Sequence, residues 1–313
     1  MSLVPLPRSP SPSLPSAVTR DAGHAVAGPQ YERLIAYYEN AGPDYGAWSS
    51  GFNMHFGYHR PGLNPFRRES MLDEMNRQVL SRLALDPAAD DLVLDLGCGV
   101  GATVRRAATL FPSKRVLGIT VVPWQVETGN AWNRRLGLFP RARLELADYT
   151  CTGFPSSSAD GAVAIESACH AEGPDKAMFV REAARILKRG ARLVVADAFL
   201  KNPALPLGPI STRLNNLLTR SFVLPQLPQV ESFAAALTAH GFEDVTVEDI
   251  SWRVAPSVMY APYVVSSFVL KRVLRRQKLS EHTRNNLRGS LMCSLLGANR
   301  RKFGYYLVSA SKR

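Results

Sequence analysis

The sequence predicts an α/β fold, with a doubly wound, seven-stranded and mostly parallel sheet that carries helices on both faces. Three observations predict it. Short apolar runs alternate with segments of helical length in the middle of the chain, a glycine-rich turn follows the first run, and two more strand-like runs come later. Apolar strands that alternate with helices are typical of a parallel sheet covered on both sides.

The seven expected strands are short runs rich in branched apolar residues. Five of them occur in the middle of the chain and two in its last quarter. In chain order they are DLVLDLG (91–97), RVLGIT (115–120), RLELAD (143–148), GAVAIES (161–167), ARLVVADAF (191–199), EDVTVEDIS (243–251) and FGYYLVSAS (303–311).

The segments around these runs predict a helical lid before the sheet and a helical cap late in the chain, both at the carboxyl edge of the strands. The cap helices are expected at 210–220, 229–240, 260–276 and 281–296. We therefore expect four parts in chain order: a disordered tail rich in Pro and Ser (1–28), an aromatic-rich helical lid (29–85), a Rossmann-like core (86–200), and the cap with the last two strands (201–313). The tail lacks an unbroken apolar run as long as that of a signal peptide.

The composition narrows the classes of protein. The chain of 313 residues is 46% hydrophobic, which is enough for a sizeable core. Its four cysteines show neither paired nor metal-like spacing, so we expect a reducing, cytoplasmic location, no disulfides and no metal site. The absence of a three-cysteine cluster weighs against iron–sulfur radical chemistry.

The net charge of +12 is concentrated late in the chain, where residues 201–313 carry 16 Lys and Arg but 6 Asp and Glu. An uncharged apolar run (254–270), interrupted by prolines and too polar to span a bilayer, directly precedes the basic stretch KRVLRRQK (271–278). This order favours peripheral contact with an anionic membrane over nucleic acid, for which no motif is present. The alternative to membrane contact is that the basic residues form a solvated face. The sequence is also compatible with a homo-oligomer.

The first strand leads into the glycine-rich stretch VLDLGCGVGATV (93–104). The strand is expected to end at Leu96 and a helix to begin near Ala102, so Gly97, Gly99 and Gly101 form the turn between them. Glycines allow positive φ and a close approach of a ligand to the backbone, and the helix N-terminus offers free N–H groups.

The spacing G-x-G-x-G, with Asp95 two residues before the first glycine, differs from the G-x-G-x-x-G of dinucleotide-binding folds. It resembles motif I of the class I S-adenosylmethionine-dependent methyltransferases. The resemblance implies that the amino-acid end of S-adenosylmethionine lies over Gly97, Gly99 and Gly101, beside Asp95.

The same resemblance implies roles for residues after the second and third strands. The family usually has an acid at the end of the second strand that holds the ribose hydroxyls, whereas this chain has Thr120, with Gln125 as a substitute donor and acceptor. Asp148 matches the family position beside the adenine amino group, and Tyr149 follows it.

Three further segments narrow the resemblance to the sterol side-chain methyltransferases and their relatives that act on prenyl chains and tocopherol-type quinols. The segments are GITVVPWQVETGNAWN (118–133), AIESACHA (164–171) and DYGAWSSGFNMHFGY (44–58). The similarity extends over 31–200. It implies C-methylation of an alkene in a lipophilic isoprenoid substrate, such as a sterol, a terpene or a prenyl chain, through a carbocation.

Glu166 and His170 follow the fourth strand, where doubly wound folds bind ligands. Attack by an alkene on a methyl sulfonium leaves a carbocation, which a nearby negative charge and aromatic faces can stabilise. We therefore expect Glu166 to stabilise the cation. His170 is expected either to take the final proton or to orient Glu166 from one helical turn away.

The lid is dense in aromatic residues, which fits a cover over an apolar substrate and a cationic sulfonium better than core filling alone. His55 is expected either over the cofactor or in packing. The residues expected to line the substrate pocket are Tyr38, Trp48, Phe52, His55, Phe56 and Tyr58.

Other functions stay open at the level of sequence. One is methylation of an aromatic carbon or a hydroxyl of a prenylated quinol, with His170 as the base. A prenyl diphosphate substrate is a variant of the leading prediction, for which Arg60, Arg67 and Arg68 or the basic last third could supply cations. A cofactor-holding sensor without catalysis is disfavoured by the acid and histidine after the fourth strand.

Overall fold

The computed structural model describes residues 29–86, 89, 91–202 and 206–313. The tail expected at 1–28 lies outside these residues. Over the described residues the strands are β1 (Leu92–Leu96), β2 (Arg115–Thr120), β3 (Ala142–Leu146), β4 (Ala159–Ile165), β5 (Leu187–Leu200), β6 (Phe242–Asp249) and β7 (Phe303–Lys312).

Helices surround this sheet and follow the pattern expected from the sequence, with α9 as an addition. They are α1 (Pro29–Ala41), α2 (Tyr45–Trp48), α3 (Arg68–Ser81), α4 (Ala102–Leu110), α5 (Pro123–Arg135), α6 (Ala177–Ile186), α7 (Pro209–Ser221), α8 (Val230–Ala239), α9 (Ser251–Val258), α10 (Tyr260–Leu274) and α11 (Glu281–Ala298).

The sheet has seven strands in the order β3-β2-β1-β4-β5-β7-β6, which confirms the predicted doubly wound fold. The strands from β3 to β5 are parallel, and β7 runs antiparallel between β5 and β6. The chain reverses its direction of winding between β1 and β4, because β2 and β3 lie on one side and β5 on the other. Ligands of such folds bind at the carboxyl ends of the strands at this switch point.

Both faces of the central strands are buried, as their apolar sequences require. Leu94 and Leu96 of β1 pack into one hydrophobic cluster with α6 and α8, whereas Val93 packs into a second cluster with α3 and α4. This alternation explains why β1 reads as an unbroken apolar run apart from Asp95. Asp95 is the next-to-last residue of β1, so it lies near the carboxyl edge of the sheet, on the same face as Val93.

The lid and the cap pack against each other above the sheet. The Tyr37 hydroxyl of α1 donates to the side chain of Asn286 on α11 (3.1 Å). Asp44 accepts from the Thr283 hydroxyl (2.7 Å) and forms an ion pair with Arg272 (3.2 Å). A third hydrophobic cluster joins α7, α11 and the start of β7. The lid and the cap therefore enclose one space over the carboxyl ends of the strands.

Candidate active site

The β1–α4 turn has the geometry that the glycine pattern predicts. Gly97, Gly99 and Gly101 all have positive φ, at +87°, +51° and +82°. A Cβ on Gly97 would lie 2.4 Å from Cβ of Ser167, so a larger residue cannot fit there. Gly97 and Gly99 line a cavity of about 260 Å³, whereas Gly101 does not line it and instead precedes the first residue of α4.

Asp95 lines this smaller cavity, and its carboxylate oxygen Oδ2 is buried without a hydrogen-bond partner among the described residues. Its side chain is buried, and burial raises the pKa of its carboxyl group to about 7. A buried, unpartnered oxygen is costly unless a ligand pairs with it. The position therefore suits a cationic donor inside the cavity.

Thr120 and Gln125 also line the smaller cavity and are hydrogen-bonded to each other. The Thr120 hydroxyl donates to Oε1 of Gln125 (2.6 Å), and it accepts from the backbone N–H of Val122 (3.2 Å). With its oxygen engaged, the Gln125 amide keeps its NH₂ group for another acceptor.

Asp148 and Tyr149 lie at the end of β3 beside the same cavity. Asp148 accepts from the Tyr31 hydroxyl of α1 (2.6 Å) and from the hydroxyl and the N–H of Thr150 (2.8 Å each). The Tyr149 hydroxyl donates to the backbone oxygen of Ser167 (2.8 Å). The lid thus reaches the wall of the smaller cavity through a tyrosine that the sequence reading did not assign to the site.

A larger cavity of about 590 Å³ lies between the carboxyl ends of β4 and β5, the amino end of β7, and the cap. Its walls are mainly apolar, and α9, α10 and α11 supply many of the side chains that line it. Five residues line both cavities and mark the place where they meet: Tyr38, Met54, His55, Glu166 and His170.

Glu166 is held in one orientation at this junction. Its Oε1 accepts from the backbone N–H of Phe56 (2.6 Å) and from the Tyr305 hydroxyl of β7 (2.9 Å). Its backbone has φ of +48°, a region that residues other than glycine rarely occupy and that often marks functional sites. Burial, and then the nearby Asp197, raise the pKa of Glu166 to about 8, although the two hydrogen bonds oppose this.

His170 ends a short 3₁₀ turn (Ala168–His170) after Glu166, and its hydrogen-bond partner is Tyr38 rather than Glu166. Nε2 of His170 and the Tyr38 hydroxyl are 3.1 Å apart. Burial, and next the ammonium of Lys176, lower the pKa of His170 to about 4, so the ring is neutral. Lys176 is fully buried and donates to the backbone oxygens of Cys169 and Ala171, which fixes this turn.

The aromatic residues expected in the substrate pocket divide into three groups. Tyr38, Trp48 and Phe56 line the larger cavity, and Trp48 packs edge-to-face on Phe56 with 5.5 Å between ring centroids. Phe52 lines the smaller cavity instead and packs against two tryptophans of α5. Tyr58 borders neither cavity, because it packs against the hydrophobic cluster beneath α3.

His55 borders both cavities, but its ring nitrogens are used within the protein. Nδ1 donates to the backbone oxygen of Phe56 (2.9 Å), and Nε2 lies 3.1 Å from the side-chain oxygen of Asn76. Burial lowers the pKa of His55, although its hydrogen bonds to Phe56 and Asn76 oppose this. Its polar atoms hold the loop that presents the Phe56 N–H to Glu166.

Asp197 and Tyr305 belong to the site although no sequence signal marked them. Asp197, near the end of β5, accepts from the backbone N–H of Cys169 (3.0 Å), and burial raises its pKa to about 6. Tyr305 pairs with Ala198 across the β5–β7 register. A register between strands that are over a hundred residues apart is not visible in a local pattern.

The cations expected for a diphosphate do not reach the larger cavity. Arg60 pairs with Glu74 (3.1 Å), and Arg68 lies over the ring of Trp48 (5.1 Å) outside the cavity wall. Among the described residues that line the larger cavity, Arg300 is the one basic side chain, and it pairs with Asp249 (3.4 Å). The part of the chain with assigned structure shows no cluster of three or more metal-ligating side chains.

The fold and the site geometry define a Rossmann-like protein with a smaller cavity at the glycine turn beside a larger apolar cavity. The methyltransferase domain family matches residues 93–190. An O-methyltransferase of Penicillium expansum, cnsE, is 30% identical over 207 residues, which are 66% of this chain and 71% of the relative. The chain belongs to the S-adenosylmethionine-dependent methyltransferases, and its cofactor is S-adenosylmethionine.

Two other relatives match a larger share of this chain but less than two thirds of their own length. A probable tocopherol O-methyltransferase of rice is 30% identical over 240 residues, 71% of this chain and 62% of the relative. A sterol 24-C-methyltransferase of Eremothecium gossypii is 28% identical over 235 residues, 74% of this chain and 60% of the relative. The relatives therefore include both O- and C-methyltransferases.

Solved structures agree on the fold. A geranyl diphosphate C-methyltransferase of Streptomyces coelicolor A3(2), in complex with Mg²⁺, geranyl diphosphate and S-adenosyl-L-homocysteine, superposes with a TM-score of 0.71 over 92% of this chain and 100% of that chain, at 17% identity. The cyclopropane synthase MmaA2 of Mycobacterium tuberculosis gives a TM-score of 0.76 over 92% and 100%, at 19% identity. At these identities the likeness shows the fold alone.

Proposed function

We propose that this methyltransferase transfers a methyl group to an alkene carbon of an uncharged isoprenoid lipid. The observation that carries the proposal is the position of Glu166, a fixed acid at the junction of a cofactor-sized cavity and a larger apolar cavity. Glu166 is one of the residues that line both cavities, so a methyl group that passes between them comes close to this acid.

In this proposal the smaller cavity holds the cofactor. The unpartnered oxygen of Asp95 takes the ammonium of its amino-acid end, and Gly97 and Gly99 leave room for the chain of that end. The NH₂ group of Gln125, oriented by Thr120, donates to a ribose hydroxyl. Asp148 and Tyr149 border the base, with Tyr31 closing over them.

When bound, S-adenosylmethionine supplies an electrophilic methyl group, so an alkene that forms the new carbon–carbon bond is left with a positive charge on the neighbouring carbon. The ionised Glu166 stabilises that charge, and the faces of Trp48 and Phe56 add to the effect. The apolar walls exclude water, which strengthens the electrostatic interaction and keeps water from trapping the cation.

Glu166 has to be ionised for this role. Burial alone would leave it largely protonated at neutral pH, because its pKa is raised to about 8. A sulfonium cation in the neighbouring cavity favours the charged form and lowers this pKa. The proton is therefore lost when the cofactor binds, and the Phe56 N–H and the Tyr305 hydroxyl stabilise the resulting carboxylate.

A first prediction concerns Tyr305→Phe and pH. Since the carboxylate is the active form, the single-turnover rate at saturating cofactor should rise with pH to a plateau, with a midpoint below about 8. Removing the Tyr305 hydroxyl removes a hydrogen bond that lowers the pKa of Glu166, so the midpoint should move to higher pH. An unchanged midpoint in the variant would mean that the pH dependence of the rate does not reflect the ionisation of Glu166.

A second prediction concerns His170→Ala. As a neutral imidazole beside the larger cavity, His170 can accept the proton that the cation loses. If it is the terminal base, methyl transfer should survive while the position of the product double bond becomes mixed, as gas chromatography with mass detection would show. A Tyr38→Phe variant, which keeps the ring and loses the hydroxyl, is the matched control. A single unchanged product from His170→Ala would exclude His170 as the base.

The charge of the larger cavity supports an uncharged substrate. Its described acidic residues are Asp44, Glu166 and Asp197, and its one basic side chain, Arg300, is already paired. A diphosphate placed there would meet carboxylates instead of the arginines and lysines that usually bind phosphate. We therefore favour a sterol, a terpene hydrocarbon or a prenyl side chain of a neutral molecule.

A second candidate is methylation of an aromatic carbon or a hydroxyl of a prenylated quinol. The relatives named as tocopherol O-methyltransferases favour it, and so does the hydrogen-bonded pair of neutral His170 and Tyr38, which could accept a phenolic proton. In this case Glu166 would be a structural acid. The apolar cavity would hold the prenyl chain in either reaction.

Incubation with methyl-labelled cofactor and a panel of substrates tests the proposal by mass spectrometry. The panel contains sterols, linear terpene hydrocarbons, prenylated quinols and prenyl diphosphates. We expect label on an alkene carbon of an uncharged isoprenoid. Label on a quinol oxygen or ring carbon would select the second candidate, and turnover of a prenyl diphosphate alone would overturn the argument from charge.

The chain's other partners follow from this substrate class. None of the helices that the structure describes is long and apolar enough to cross a bilayer. An uncharged isoprenoid, however, resides in membranes because of its apolar surface. We therefore propose that the protein works in the cytoplasm in peripheral contact with a lipid surface.

A further inference from the structure

The helix α10 is apolar on two opposite sides. At 100° per residue, Val264, Val265 and Phe268 share one side, and all three line the larger cavity. The opposite side carries five residues that are between 58% and 77% exposed: Met259 just before the helix, Tyr263, Leu270, Val273 and Leu274. A helix that is apolar all round is normally covered on every side.

These five residues form one stripe, here called the α10 stripe. Their spacing of four, seven, three and one residues keeps them within about 120° of the helix circumference. Phe66, which is 86% exposed, lies near the start of the stripe, because the Tyr260 hydroxyl donates to the backbone oxygen of Pro65 (3.0 Å). An apolar patch of this extent on a soluble surface usually marks an interaction site.

Basic residues border the end of the stripe. Lys271, Arg275, Arg276 and Lys278 are exposed, and none of them has an acidic partner among the ion pairs of the described residues. Arg272, by contrast, points to Asp44. The stripe therefore ends in a group of free cations next to exposed apolar side chains, which is the chemistry of an anionic lipid interface.

The stripe begins at the mouth of the larger cavity. Trp252 and Met259 line this cavity, yet each is 77% exposed, so they stand where the cavity opens to the outside. Tryptophan is enriched at membrane interfaces, where its ring is buried and its N–H stays hydrated. A surface that docks through the α10 stripe would thus bring the cavity mouth to the bilayer.

We propose that the α10 stripe docks on an anionic bilayer and that the substrate enters the larger cavity directly from the lipid. The inference rests on the proposed function for the identity of the cargo, but the docking itself does not. Pairing with a second copy would cover the apolar residues but would not require the free cations beside them, which disfavours a second copy as the occupant. Nucleic acid would use the cations and leave the apolar residues uncovered.

Vesicle sedimentation of the full chain, without any substrate, tests the docking. The vesicles contain phosphatidylcholine and phosphatidylglycerol in equal amounts, and phosphatidylcholine alone serves for comparison. Binding should be strong on the anionic vesicles at low salt and weaker at high salt. A Leu270→Ser/Leu274→Ser variant should bind at least about tenfold more weakly, because two apolar side chains of the stripe no longer enter the bilayer.

Matched variants distinguish binding through the α10 stripe from binding through other exposed apolar residues or through the net positive charge of the chain. Leu136→Ser/Val247→Ser removes two exposed apolar residues, one directly after α5 and one in the edge strand β6, and should bind as the unaltered chain does. Lys271→Gln/Arg275→Gln/Arg276→Gln should weaken binding on the order of a hundredfold, whereas Arg135→Gln/Arg181→Gln/Arg189→Gln, with the same net charge, should have little effect.

Three outcomes would overturn the docking proposal. The first is equal binding of the stripe variant and its control, and the second is an equal loss from both charge variants. The third is a dimer in sedimentation velocity that the stripe variant converts to a monomer. Affinity for S-adenosylhomocysteine, measured by calorimetry, verifies that each variant is folded. Since no substrate is present, failure of the alkene chemistry would leave these results unaffected.

Discussion

Replacing Glu166 with glutamine is expected to slow methyl transfer on the order of a hundredfold or more while cofactor binding stays intact. The substitution keeps the shape of the side chain and its hydrogen bond from the Phe56 N–H, but it removes the charge. If the transition state is cationic, the loss should fall on the chemical step and not on cofactor affinity. Single-turnover rates and calorimetry with S-adenosylhomocysteine measure the two separately.

Asp197→Asn is the matched control for this variant. Asp197 is a buried acid that also lines the larger cavity, but its carboxylate accepts from the backbone N–H of Cys169 and it does not line the smaller cavity. Its neutralisation should slow methyl transfer much less than Glu166→Gln does. A Glu166→Gln enzyme with a rate near that of the unaltered chain would make the acid structural, and the second candidate function would become the better one.

Replacing Gly99 with valine should weaken cofactor binding on the order of a hundredfold. A Cβ at this position would lie 3.0 Å from Sδ of Met54 and would extend into the smaller cavity, where the methionine part of the cofactor is proposed to lie. Calorimetry with S-adenosylhomocysteine provides the measurement.

Gly137→Val separates the filled cavity from backbone strain. Gly137 also has a positive φ, +67°, but nothing lies within 4 Å of an added Cβ. Both substitutions impose similar strain, so both should lower the thermal stability by similar amounts. Only Gly99→Val should lose affinity, and unchanged affinity in a folded Gly99→Val protein would refute the proposed position of the cofactor.

The local parts of the fold could be predicted from the sequence. β1 ends at Leu96 and α4 begins at Ala102, as expected, because the glycines that follow the apolar run end the strand and favour a turn. The cap helices lie within a few residues of their expected bounds. α9 was missed, since its segment contains Pro256 and the strand before it was expected to continue to Ser251.

The candidate site was predictable only where it depends on neighbours in the chain. The glycines and Glu166 follow apolar strands directly, so their place at the carboxyl edge could be inferred. Tyr305 could not, because it reaches Glu166 through the antiparallel β5–β7 register. The expected contact of His170 with Glu166 also differs, since the 3₁₀ turn directs the ring to Tyr38.

The position of β7 has a consequence for the order in which the enzyme matures during folding. β7 pairs with β5 although α7 to α11 and β6 lie between them along the chain, and such non-local pairing forms late. A chain in which β1 to β5 have assembled would already contain the glycine turn, but its Glu166 would not yet accept the hydrogen bond from the Tyr305 hydroxyl. Because every described residue that lines the smaller cavity precedes β5, such a chain would have the walls of its cofactor cavity before it had the fixed acid.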